Sequence, residues 1–196
     1  MRRLLMLVLL FGWVYAGLLA DEPKPCPSEI RPWLICKPGT TDLISTINGI
    51  TKIFTVKVES PGNGLWIKGI YENSKYLCMS FIWDSHGDVI FILDKINNRQ
   101  IRLGNRFGYY SLHGLIDPNF IVIATEEFSG PEGDEFGFVV LRLSDRKFIR
   151  VGKDAWNYQL RVEGKNIVGI KTIKPGEFYE QVPYTIPIRS VLARFK

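Results

Sequence analysis

The sequence predicts an all-β fold of repeated four-stranded antiparallel units. The arrangement expected is β-propeller-like, small or incomplete with about four blades, with a β-sandwich or barrel as the alternative. Three observations lead there. A phrase recurs: residues 98–104 read "NRQIRLG" and residues 145–152 read "DRKFIRVG". Apolar and polar residues alternate in short runs, as in Tyr158, Leu160 and Val162 with Gln159 and Arg161 between them; a period of two marks a strand with one buried face. Aromatic and β-branched residues are frequent, and long runs of good helix formers are scarce.

The first twenty residues are expected to lie outside the fold. Arg2 and Arg3 make a basic start, Leu4 to Ala20 is apolar, and Asp21-Glu22-Pro23 is polar. That is the pattern of a secretory signal peptide, with cleavage after Ala16 or after Ala20. The rival is an uncleaved anchor over residues 4–20, which is short for a membrane span. Loss of Arg2 and Arg3 lowers the formal net charge from +5 to +3. With no Lys/Arg run, nothing suggests a nucleic-acid partner. Membrane attachment is expected only if the segment stays on. The expected location is periplasmic or extracellular.

Residues 21–32 read as a Pro-rich segment, and residues 33–196 as one β-repeat domain. Export implies an oxidising compartment, where disulfides persist. Cys26 and Cys36 are expected to pair across a short loop, worth about 3 kcal/mol in the chain-entropy account. Cys78, in "YLCMSFIW", reads as a small buried hydrophobe, because no His or basic cluster nearby would lower its pKa.

Within the domain, Ile53, Ile101 and Ile149 set three segments in register at 48-residue spacing. Each has a Gly, Asn or Asp turn followed by an alternating strand. "DLISTI", "DVIFIL" and "FGFVVLRL" precede these segments, and "LWIKGIY", "YYSLHGLI" and "YQLRVEG" follow. Polar turns ("ENSK", "DPN", "GKN") then lead to "YLCMSF", "FIVIAT" and "IVGIKTI". The units so drawn span about 33–75, 76–119, 120–166 and 167–196, close to the length of a propeller blade. The last has room for two or three strands, and the tail "SVLARFK" is a candidate to complete its sheet. Asn48-Gly49 and Asn97-Asn98 are hairpin-turn pairs, since Asn and Gly tolerate positive φ. Arg102 and Arg150 read as solvent-facing strand residues.

The lines "KYLCMSFIWDSHGDVIFILDKINNRQIRLG" and "NFIVIATEEFSGPEGDEFGFVVLRLSDRKFIRVG" resemble the loose repeats of TolB-like and WD40-like exported β-propellers. The family's usual "SPDG" is absent, with "ENSK" and "DPN" in its place. The resemblance implies a ring or partial ring of blades, and a binding role by association with the fold alone.

Catalytic signatures are missing: there is no G-x-x-x-x-G-K-S/T, no H-E-x-x-H and no G-x-S-x-G. The densest polar cluster is "WDSHGD". Asp84, His86 and Asp88 there can be read as a divalent-metal or acid–base site, or as a polar hairpin tip. "EGDE" at residues 132–135 reads as a solvated loop or a calcium-binding tip. His113 reads as a structural imidazole. No cofactor is implied. The longer loops fall on one face of the units, and Trp66, Trp83, Arg106, Phe107, Tyr109 and Trp156 are the partner-contact candidates there.

The expectation is therefore an exported, non-catalytic binding or scaffold protein that meets a protein partner, with a homo-oligomer open. Two alternatives stand. One is a hydrolase or a metal or small-ligand binder centred on Asp84, His86 and Asp88. The other is a structural envelope component that self-assembles through exposed sheet edges.

Overall fold

A computed structural model of the chain describes residues 24–58, 64–84, 87–103, 110–125, 137–152, 157–173 and 178–195. Residues 1–20, expected from the sequence to be a signal peptide, lie outside them. The described residues form sixteen strands and one short helix, arranged as four antiparallel sheets, none of which closes into a barrel.

The first sheet runs β2 (Glu29–Arg31), β3 (Leu34–Cys36), β4 (Asp42–Ile47) and β5 (Ile50–Thr55). The second runs β6 (Trp66–Glu72), β7 (Tyr76–Asp84), β8 (Gly87–Asp94) and β9 (Arg99–Ile101), with β1 (Lys24–Pro25) added beside β6. The third holds β10 (Tyr110–Ile116), β11 (Phe120–Thr125), β12 (Phe138–Arg142) and β13 (Phe148–Val151). The fourth holds β14 (Asn157–Glu163), β15 (Asn166–Ile173) and β16 (Glu180–Pro187).

The sheets group the strands one strand earlier than the units drawn from the sequence. β6 belongs with β7, and not with β5 as the unit 33–75 had it. The reason is the turn between them. Asn73 Oδ1 accepts from the Lys75 and Tyr76 amides at 2.9 and 2.8 Å, a tight side-chain-closed turn. A turn that short joins only adjacent antiparallel strands. The polar turns expected from the sequence are present, but each closes a hairpin inside a sheet instead of separating two units.

Three apolar cores lie between successive sheets. Leu34, Leu43, Leu77, Phe81 and Phe91 join the first sheet to the second. Cys78, Ile92, Leu112 and Ile123 join the second to the third. Val122, Phe138, Tyr158 and Ile167 join the third to the fourth. Strand alternation makes this possible: in β8, Val89, Phe91 and Leu93 face the first sheet, while Ile90 and Ile92 face the third. Among the described residues, none of these clusters joins the first sheet to the fourth.

The tail does not add a strand. Helix α1 (Ile188–Leu192) follows β16 directly, and Val191, Leu192 and Phe195 settle on the core between the third and fourth sheets. Cys26 and Cys36 form a disulfide, and the Cys26 amide donates to the Leu65 carbonyl at 2.8 Å. The N-terminal segment is thereby tied to both the first and second sheets.

Candidate functional site between the second and third sheets

β6 carries a register irregularity between Ile67 and Gly69. Ile67 packs into the core toward the first sheet, and the irregularity frees Lys68 to turn toward the third; bulges commonly re-aim a side chain this way. Asp88 shares the parity of Ile90 and Ile92, so it too faces the third sheet. Ser111 comes from β10 opposite.

These three side chains meet. Ser111 Oγ donates to Asp88 Oδ2 at 2.8 Å. Lys68 Nζ donates to Ser111 Oγ at 3.1 Å and lies 3.4 Å from Asp88 Oδ2. The Asp88 side chain is 3% exposed and that of Lys68 26%, while Ser111 is 1% exposed. Nearby, Tyr71 Oη reaches the Leu112 carbonyl at 3.5 Å. Ser80 Oγ is buried with no hydrogen-bond partner among the described residues.

A hydroxyl aimed at a carboxylate and backed by an ammonium has the makings of an activated nucleophile. Ser111 is covered, however, and offers an electrophile no approach. What the trio does in this geometry is electrostatic. A charge pair held by hydrogen bonds in a low-dielectric gap fixes the register between two sheets.

Asp88 is therefore engaged by Lys68 and Ser111. The side chains of Trp83 and Asp84, and all of His86, Arg106, Phe107, Tyr109, Trp156 and residues 132–135, lie outside the described residues. Among the described residues, no three His, Cys, Asp or Glu side chains converge as metal ligands, and no helix is long and apolar enough to cross a membrane. Trp66 opens β6 and is 40% exposed. His113 sits at an irregularity in β10, with Nδ1 3.0 Å from the Leu160 carbonyl, bridging the third sheet to the fourth. Arg102 is exposed, and Arg150 is half-buried. A separate groove of about 580 Å³ lies between Leu115, Val162 and Leu192, with Asp117, Lys165 and Arg189 also lining it.

The strand ends converge. β6 starts, β7 ends and β8 starts at one end of the second sheet. The Lys68–Asp88–Ser111 contacts set the start of β10 beside that end. His113 and Leu160 bring the start of β14 alongside. The tight turns lie at the other end, where Asn73 Nδ2 donates to Asp117 Oδ1 at 2.7 Å. The strands that flank 85–86, 104–109 and 153–156, together with exposed Trp66, thus reach one face.

The sequence singles out Asp88 only as a metal, acid–base or hairpin-tip candidate beside Asp84 and His86, and does not point to Lys68 or Ser111 as its partners. The one local sign was a lysine interrupting the apolar run "LWIKGIY". No protein-family model and no curated protein matches this chain.

Cys78 is fully buried, and burial pushes its thiol up to about 12 from an ordinary 9.0. The folded chain should resist iodoacetamide at neutral pH and react once unfolded. The folded state keeps a proton that the unfolded state loses above pH 9.0, so this group makes stability fall as pH rises from 9.0 toward about 12. Alkylation of the native chain at a rate matching a free thiol would contradict this placement.

Proposed function

We propose that the chain is an exported, non-catalytic binding protein, whose propeller-like stack of sheets presents its loop face to a protein partner. The observation that carries this reading is the convergence of strand ends around Trp66. An exposed tryptophan at the mouth of a rigid sheet is the kind of residue that anchors an interface. The buried trio beneath it supports a fixed presenting face, since it ties β6, β8 and β10 together where they meet that face. Lys68 and Ser111 both engage Asp88 through Oδ2.

The test is capture from the native envelope by immobilised chain, with the partner identified and its affinity then measured. Trp66→Ala should weaken binding by roughly 30-fold, the scale of an interface anchor. Binding is compared at a temperature where circular dichroism shows the variant folded, because the part of Trp66 that is not exposed packs on the sheet and its loss lowers the unfolding midpoint. A partner bound equally well by Trp66→Ala would remove this face from the proposal.

A further inference from the structure

The first sheet ends in a strand whose free edge matches a second copy of itself. Asn48 and Gly49 take φ of 51° and 72°, the two-residue turn that makes Ile47 and Ile50 a hydrogen-bonded pair. Bonded and non-bonded pairs then alternate along an antiparallel ladder. Lys52 and Phe54 bond to β4, and the alternation continues with the Val56 amide on the Thr41 carbonyl at 2.8 Å. Thr51, Ile53 and Thr55 are left with their N–H and C=O groups directed away from β4, and no other described backbone group takes them.

An apolar row crosses three of the four strands on the outer face of this sheet, ending at Glu29 of β2 opposite Ile35. Ile35, Ile44 and Ile53 stand directly opposite one another in successive strands. Ile35 is 45% exposed and Ile53 65%. Thr51 bonds to Thr46 at 3.0 Å and Thr55 to Asp42 at 2.7 Å, flanking the row.

The other outer edges are less open. β9 and β13 have three and four residues. β16 carries Pro183 and Pro187, and proline removes ladder donors and blunts an edge. β10 and β14 are inner edges, packed on neighbouring sheets.

We propose that two copies of this chain associate through β5, antiparallel and centred on Ile53, to form one continuous eight-stranded sheet. In that register Ile53 faces Ile53 of the second copy, and Thr51 faces Thr55. All three outward residues of each copy exchange hydrogen bonds, and the isoleucine row doubles in length. Lys52 then lies opposite Phe54. Centring on Lys52 instead would oppose two ammonium groups and call on backbone groups already bonded to β4. This association uses an edge distinct from the loop face and does not depend on the function proposed for that face.

The test is sedimentation equilibrium of the oxidised chain, purified from cells expressing the full sequence. A monomer–dimer equilibrium is expected. Ile53→Lys should weaken it roughly tenfold or more, because like charges directly opposed destabilise a ladder. It should leave the circular dichroism unchanged, since Ile53 is on a solvent face. Ile53→Cys decides the register independently. Opposed residues of a bonded pair lie about 5.5 Å apart at Cα, within disulfide range, so mild oxidation should link Ile53→Cys dimers. Thr51→Cys, which faces Thr55, should not link. A chain that stays monomeric at millimolar concentration overturns the proposal. So does a dimer indifferent to Ile53→Lys, or one in which Thr51→Cys links as readily as Ile53→Cys.

Discussion

Replacing Gly152 by alanine should lower stability by about 3 kcal/mol, combining a left-handed backbone with an overfilled contact. Gly152 has φ of +73°, and a Cβ there would run into the hydroxyl of Tyr158. Tyr158 is 1% exposed and cannot easily yield. Its ring lies edge-on to Phe138 at 5.3 Å and to Tyr184 at 5.4 Å, at the centre of the core between the third and fourth sheets. Gly49 is the control. It has φ of +72°, but a Cβ there would meet nothing within 4 Å, so Gly49→Ala should cost only the backbone part, about 1 kcal/mol. Urea unfolding of both variants separates the two contributions. Equal losses would mean that Tyr158 moves aside, and that the core has slack where the packing says it has none.

Gly152 closes the phrase "DRKFIRVG", so this result bears on why that phrase was legible at all. Asn98 and Arg146 each stand three residues before the isoleucine of the two echoed phrases, and both have positive φ, 42° and 60°. Turn chemistry is written locally, because a side chain and its own backbone decide it. Asn48-Gly49 and the Asn73 turn could be read for the same reason, and so could the buried alternation of Tyr158 and Leu160.

What could not be read was which strands share a sheet. The apolar pattern of β6 fits either neighbour equally well, and the deciding fact is that a hairpin too short to cross between sheets follows it. Pairings across sheets were also invisible. Asn98 is buried, where its Oδ1 accepts from Ser45 Oγ and its Nδ2 donates to the Ile50 carbonyl, each at 2.9 Å. Nothing near Asn98 in the sequence announces Ser45. The trio of Lys68, Asp88 and Ser111 has the same character. Each residue looks ordinary in its own strand, and only the stacking of two sheets makes them a cluster.

That cluster carries the second large effect. Asp88→Ala should cost about 3 kcal/mol, the low end for breaking a buried ion pair, because the Lys68 side chain keeps some contact with water. The loss comes less from the attraction removed than from what is left behind. The Lys68 ammonium loses the Asp88 carboxylate from its surroundings, and the buried Ser111 hydroxyl loses the acceptor it was aimed at. A recovery is therefore expected. Adding Lys68→Met and Ser111→Ala to Asp88→Ala removes the polar groups that faced the carboxylate, and replacing a whole buried ionic cluster by apolar residues is often close to neutral. Chemical unfolding of the single and triple variants measures both. If the triple variant is as unstable as the single one, the trio contributes net attraction and is more than a compensated cost. The same pair of variants separates stability from presentation. The triple variant regains stability but not the directional bonds that fix β6 and β8 against β10, so its capture of a partner through Trp66 should stay below that of the unaltered chain. Full recovery of capture would show that apolar packing alone sets the loop face.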